Sequence, residues 1–241
     1  MDKKYGDLSY LNSGQMRWSH EIIMKNLKNT DRRVLEIGCF NGFFVKAMRG
    51  FAIDAYGFDL NSKAIAKGRS NYDIQNILFD NLESAYGQGP FDDIIMVDVL
   101  EHIDDADGFL KEAIRHLGAN GRIVVAGPIA DRYFLDKTDF PPHHLWRFSR
   151  KGLRLLAEKN GLTPDTWDVQ YDFSLFLRNA LGRIVNGFSK REYYGEGPSV
   201  TDDRVPRVVL LTVDTIRAIT TPILTRLDLP YCSAVVVMEK P

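Results

Sequence analysis

The sequence predicts an α/β fold, a doubly wound and mostly parallel sheet with helices on both faces. Three observations predict it. Short apolar runs bounded by polar turns recur along the chain, and segments with helical spacing separate them. The first of these runs breaks into glycines directly before a helical pattern begins, in "VLEIGCFNGFF". Strands that alternate with helices need crossover connections, which puts the strands parallel and covers both faces of the sheet.

The chain has 241 residues, 44% of them apolar and 26% charged, with a formal net charge of -1. That composition suits one globular domain over 1–241 with a substantial core. It lacks the basic footprint of a nucleic-acid binder, so no nucleic-acid partner is expected. Cys39 and Cys232 are far apart, without disulfide-framework or metal-ligand spacing, and His102, His143 and His144 could ligate a metal in principle but lack tight ligand spacing, so no metal site is expected and a reducing cytoplasm fits. The opening "MDKKYGDLSY" has no signal-peptide core, and no run reaches the roughly 18 apolar residues of a membrane span. A cytoplasmic location is expected.

Taken in order, an N-terminal helical segment fills 1–30. Its helix runs from about Gln15 to Leu27, where Trp18, Ile22, Ile23 and Leu27 share a face. Five strands follow in "RVLEIG", "DAYGFD", "NILFD", "DDIIMVDV" and "GRIVVAGP", with helices in "FFVKAMRG", "SKAIAKGRS" and "ADGFLKEAIRHLG". An aromatic, proline-bearing loop, "DRYFLDKTDFPPHHLWRFS", leads to the helix "RKGLRLLAEKNG", with Ser149 as N-cap and Gly161 as stop. "TWDVQYD" and "SAVVVMEK" read as two more strands.

Between those last strands, residues 172–231 form an insertion that the alternation does not require. Phe173, Phe176, Leu177, Ala180, Leu181, Ile184, Val185 and Phe188 recur at helical spacing, with Arg178, Arg183, Lys190 and Arg191 off that face. "YYGEGPSVTDDRVP" reads as a loop, and "VVLLTVDTIRAI" as a second helix that Pro222 interrupts or ends. Two roles are open for the insertion: a lid over the substrate, which is favoured, or a peripheral membrane contact through 173–191.

The glycine-bearing run carries the chemistry. Gly38 and Gly42 fall in the turn after the first strand, where a backbone without Cβ atoms lets a ligand come close. That turn lies at the crevice beyond the strand ends, the usual ligand site of an open α/β sheet. The spacing is Glu36-x-Gly38-x-x-x-Gly42 rather than the G-x-G-x-x-G of a dinucleotide fold. A carboxylate there disfavours a polyphosphate and suits a ligand with an ammonium and a sulfonium, such as S-adenosylmethionine. Asp59 follows Glu36 at close to the interval of about 20 residues expected for a ribose acid. Asp80, with Asn81 beside it, is placed to read an adenine edge, and Asp98 closes the fourth strand.

Together "VLEIGCFNGFF", "GFDLN", "FDDIIMVDVLEHIDD" and "LGANGRIVVAGP" resemble class I S-adenosylmethionine-dependent methyltransferases, and "PPHHLWRFSRKGLRLLAEKNGL" is similar to their small-molecule and glycan-modifying branch. The resemblance covers Val34 to Leu162, and Phe40 departs from the family's usual glycine. It implies a Rossmann-like seven-stranded sheet, order 3-2-1-4-5-7-6, with strand 7 antiparallel. It also implies S-adenosylmethionine as cofactor. Glu36 would face the methionine ammonium, and Gly38, Cys39, Phe40, Asn41 and Gly42 would pass beside the amino-acid portion. Asp59 would hold the ribose, Leu60 the adenine face, Asp80 and Asn81 the adenine edge. Asp98 and Val99 would border the methionine part.

Each residue has a plainer alternative. Glu36 could cap a neighbouring helix, Asp59 could be an N-cap and Asp80 a turn acid. Cys39 reads as a turn residue more than a nucleophile, because no basic neighbour lowers its pKa. His102 could take a proton from an acceptor hydroxyl or bond local backbone, and His143 and His144 sit in the loop that faces the same crevice. The expected reaction is methyl transfer to a small molecule or saccharide, lipid-linked ones included. The rivals are a non-catalytic nucleoside-binding protein of the same fold and a nicotinamide-dependent oxidoreductase.

Overall fold

The computed structural model describes residues 18–27, 30–130, 140–170 and 233–240. Its elements are α1 (Trp18–Leu27), β1 (Arg33–Ile37), α2 (Phe43–Gly50), β2 (Asp54–Phe58), α3 (Ser62–Tyr72), β3 (Leu78–Phe79) and α4 (Leu82–Tyr86). They continue with β4 (Phe91–Val97), a 3-10 turn at Leu100–His102, α5 (Ala106–Arg115), β5 (Leu117–Pro128), α6 (Arg150–Lys159), β6 (Thr163–Gln170) and β7 (Ser233–Glu239). The sheet has the order β3-β2-β1-β4-β5-β7-β6. The first five strands run parallel, and β7 lies antiparallel between β5 and β6. This is the order and polarity that the resemblance implies.

The central strands are apolar along their whole length because both faces are covered. Leu35, Ile37, Ile94, Met96, Ile123 and Val125 point to one face, where Ala85, Leu110 and Leu153 of α4, α5 and α6 meet them. Val34, Ala55, Ile95, Val97, Val124 and Ala126 point to the other, against Ile23, Leu27, Phe44, Met48 and Ile65 of α1, α2 and α3. Fully burying each of the Val, Leu, Ile, Phe and Met side chains is worth about 1.5–3 kcal/mol. Asp93, with no exposure, ties the N-terminal ends of the strands together by accepting from Arg32 and from Arg122 at 2.7 Å.

Several boundaries shift from the sequence expectation. β5 begins at Leu117 because that residue pairs with Phe91 across a register shift, whereas the strand was expected to start at Gly121. β6 starts at Thr163, not Thr166; Pro164 is tolerated because β6 is an edge strand. α4 and the 3-10 turn are too short to show a helical period. α1 is described from Trp18, so the expected start at Gln15 lies outside the described residues, as does the insertion at 172–231. Ser149 caps α6 by accepting from Gly152 N at 3.0 Å, and Gly161 has φ +71° just beyond it, as expected.

Candidate active site

Because β1 to β4 are parallel, the residues that follow them share one edge of the sheet. Asp59, Asp80 and Asp98 come directly after β2, β3 and β4, and Glu36 lies in β1 one residue before its end, paired with Gly57 and Ile95. The acids therefore gather around the turn 38–42.

That turn is tightly specified. Gly38, Phe40 and Gly42 have φ of +79°, +50° and +72°. Gly38 has no alternative: a Cβ there would lie 2.3 Å from Val99 Cγ2, so the turn after β1 presses against the turn after β4. Gly68 of α3 is likewise required, since its Cβ would fall 2.0 Å from the Asn41 carbonyl oxygen. Phe40 adopts the left-handed conformation that the family's usual glycine takes freely, at a cost of about 1–2 kcal/mol.

Asp59 locks the turn from below. Its Oδ2 accepts from Phe40 N at 2.7 Å and its Oδ1 from Asn61 N at 2.8 Å. The N-cap of α3 is Asn61, which accepts from Ala64 N at 3.1 Å, so the plainer reading of Asp59 as that cap does not hold. Each Asp59 oxygen keeps a second lone pair for a hydroxyl. Leu60 beside it is 85% exposed, an apolar surface with no neighbour over it among the described residues.

Glu36 and Asn41 are buried, and Asn41 Oδ1 accepts from Phe43 N at 3.2 Å at the entry to α2. Cys39 is also buried. Burial first, then the charges of Glu36 and Asp59, push its thiol well above the ordinary range, which suits a turn residue and not a nucleophile. Asp80 is exposed, 4.0 Å from Arg69, and Asn81 caps α4 by accepting from Ser84 N at 2.9 Å. Asp98 stands at φ +52° and is half-buried, as is Val99.

The second half of the site is built where the loop before α6 crosses the turn after β4. The carbonyl of Glu101 accepts from Leu145 N at 2.8 Å and Trp146 N at 3.1 Å. The Trp146 indole Nε1 donates to Ile103 O at 2.7 Å and Asp104 O at 3.1 Å. These bonds bring all three candidate histidines together. His102 Nδ1 lies 2.6 Å from His143 O, and the His102 and His144 rings meet edge to face at 4.9 Å. A carbonyl only accepts, so Nδ1 carries a proton, and in the neutral ring it is Nε2 of His102 that holds the lone pair.

Glu101 was not among the expected site residues. It is 4% exposed, and burial, followed by the Asp98 charge, pushes its carboxyl up to about 8. Its Oε1 is buried without a hydrogen bond among the described residues. The available signal was an acid inside the apolar run "DVLEHI". Trp146 was also missed, because its role depends on a contact between distant segments.

The residues fit S-adenosylmethionine by their chemistry: carboxylates for an ammonium and for ribose hydroxyls, an exposed apolar side chain for a purine, and a turn held open by glycines. A family model described as a methyltransferase domain matches residues 12–166, more than half of the chain. The ubiquinone biosynthesis O-methyltransferase of Rickettsia bellii is 24% identical over 220 residues, covering 76% of this chain and 91% of that protein. The protein of the same name from Pelagibacter ubique is 26% identical over 134 residues, and the match spans 51% of this chain and only 56% of that relative. A crystal structure of an S-adenosylmethionine-dependent methyltransferase from Archaeoglobus fulgidus superposes with TM-score 0.59 at 17% identity, covering 97% of this chain and all of that one. At that identity the likeness shows the fold. Among the described residues, no helix is long and apolar enough to cross a membrane.

Proposed function

The chain belongs to the family of S-adenosylmethionine-dependent methyltransferases, and from that premise we propose that it methylates a hydroxyl oxygen of a small molecule bound against His102. The observation that carries this reading is the fixed tautomer of His102, whose Nε2 lone pair is free of the bond that Nδ1 makes to His143 O. The names of the Rickettsia and Pelagibacter relatives, both O-methyltransferases, support an oxygen acceptor.

Glu36, the turn 38–42, Asp59, Leu60, Asp80 and Asn81 would hold the cofactor in the roles the resemblance implies. When bound, the cofactor supplies a methyl group activated by its sulfonium. Val99 touches the space that a side chain on Gly38 would need, so the cofactor turn and the histidine turn adjoin. His102 takes the acceptor's proton as its oxygen attacks, a contribution of about 10²–10⁴-fold. Holding nucleophile and methyl carbon in line does the rest. Leu145 and Trp146, 44% and 46% exposed beside His144, offer an apolar wall for the acceptor's carbon skeleton.

Release of S-adenosylhomocysteine with a panel of phenolic and saccharide acceptors tests the proposal. We expect turnover with a hydroxylated acceptor, and His102→Ala to lower kcat by at least about 10²-fold while cofactor affinity is unchanged. Equal kcat in His102→Ala, or transfer to amines alone, would contradict it.

A further inference from the structure

We propose that Glu101, His102 and His144 form a binding site for a divalent transition-metal ion, with zinc the ion that the donor set fits. One ligand atom from each lies within 4.8 Å of the others. Two imidazoles and one carboxylate suit zinc and its neighbours, whereas magnesium and calcium prefer oxygen alone.

Three further features point the same way. His102 uses Nδ1 on the His143 carbonyl at 2.6 Å, leaving Nε2 to coordinate. That is the support a metal-bound imidazole ordinarily has, since the outer hydrogen bond fixes both ring and tautomer. Glu101 is 4% exposed and has a carboxylate oxygen with no hydrogen bond among the described residues, so a ligand position is unspent inside the protein. The two segments that supply the ligands are stapled by Leu145 N and Trp146 N on Glu101 O and by the Trp146 indole on Ile103 O and Asp104 O. His144 is thereby held beside His102 without help from an ion.

Three protein ligands leave a coordination position open, as in catalytic zinc sites. On the reading that the acceptor hydroxyl lies against His102, its oxygen would take that position. Coordination then weakens the O–H bond and the proton leaves to water. The oxygen lone pair forms the bond to the methyl carbon, and the electrons of the broken S–C bond stay on sulfur. In the loaded protein Nε2 of His102 is a ligand, the ion acidifies the acceptor hydroxyl, and water takes the proton that His102 takes in the metal-free protein.

The test uses the full chain, stripped with a chelator and titrated calorimetrically with zinc alone. Cobalt(II) substitution, read from its visible absorption, reports the ligand geometry. We expect one ion per chain and affinity at least about tenfold weaker in His144→Ala and in Glu101→Gln. Affinity in His116→Gln, a histidine paired with Glu112 at the end of α5, should match the parent. Glu101→Gln keeps the side-chain shape, so it guards against a loss that reflects misfolding. Absence of stoichiometric binding, or binding that both ligand variants leave unchanged, overturns the site. Zinc binding is read without an acceptor: turnover in stripped protein that binds no zinc overturns the metal and leaves the His102 base. Zinc binding with no turnover on any hydroxyl would leave the site and sink the acceptor reading.

Discussion

Gly38 and Gly161 both have positive φ, +79° and +71°, yet their surroundings differ. A Cβ on Gly161 would meet nothing within 4 Å, while one on Gly38 would strike Val99 at 2.3 Å. Gly161→Ala should therefore cost only the left-handed backbone, about 1–2 kcal/mol. Gly38→Ala should add overpacking of about 1–3 kcal/mol and push the cofactor turn off the turn after β4. Denaturant unfolding of both variants checks this; equal losses would mean the two turns do not press together. At this scale the placement was legible: Glu36, Asp59 and the turn glycines stand at one edge of the sheet, as their positions in the sequence imply. Phe40 shows the limit: the sequence marks a departure from glycine, but only the backbone reveals that Phe40 bears the left-handed φ of +50° with its N–H on Asp59. Glu101 was missed although it stands in an apolar run, because the sequence does not show that its carboxylate lies against Gly127 of β5, where an added Cβ would be 3.3 Å from Oε1.

Helices α5 and α6 are joined through Asp107, which accepts from Lys111 at 2.8 Å, Lys159 at 2.9 Å and Asn160 at 2.9 Å. The hydrogen bond from Lys111 first, then those from Asn160 and Lys159, hold its carboxyl below the ordinary value of 3.8. A depressed carboxylate binds fewer protons folded than unfolded, so its contribution is present above that ordinary value and is lost as the pH falls through the folded one. Asp107→Asn should flatten the acid side of the stability profile, read by thermal unfolding between about pH 2 and 6. An unchanged slope would show the link to be slack. The pairing is invisible in sequence because Lys159 and Asn160 come from the other helix. α2 was legible to the residue and β4 to within two, because each is an apolar run bounded by polar or glycine-bearing turns. α4 was not, since five residues under an Asn81 cap carry too little pattern, and the early start of β5 depends on pairing with Phe91.

Across the whole molecule, the sheet order and its reversed last strand followed from resemblance, not from hydrophobic pattern, which does not reveal strand order. The register shows where the fold can be cut. Gln170 of β6 faces Ser233 of β7, so a short hairpin turn in place of 171–232 would close the sheet. Such a chain should fold and bind S-adenosylmethionine like the parent but lose turnover, as expected of a lid. Loss of binding along with turnover would assign the segment to the cofactor site instead. The account as a whole rests on acids at one sheet edge holding adenosine and a sulfonium. Calorimetric titration of the full chain and of Asp59→Ala, with S-adenosylmethionine and with NAD, measures that directly. The account predicts one S-adenosylmethionine per chain, no comparable NAD binding, and affinity at least about tenfold weaker in Asp59→Ala, the loss expected when a charged hydrogen-bond partner goes. Preference for NAD, or S-adenosylmethionine affinity that Asp59→Ala leaves intact, would contradict it.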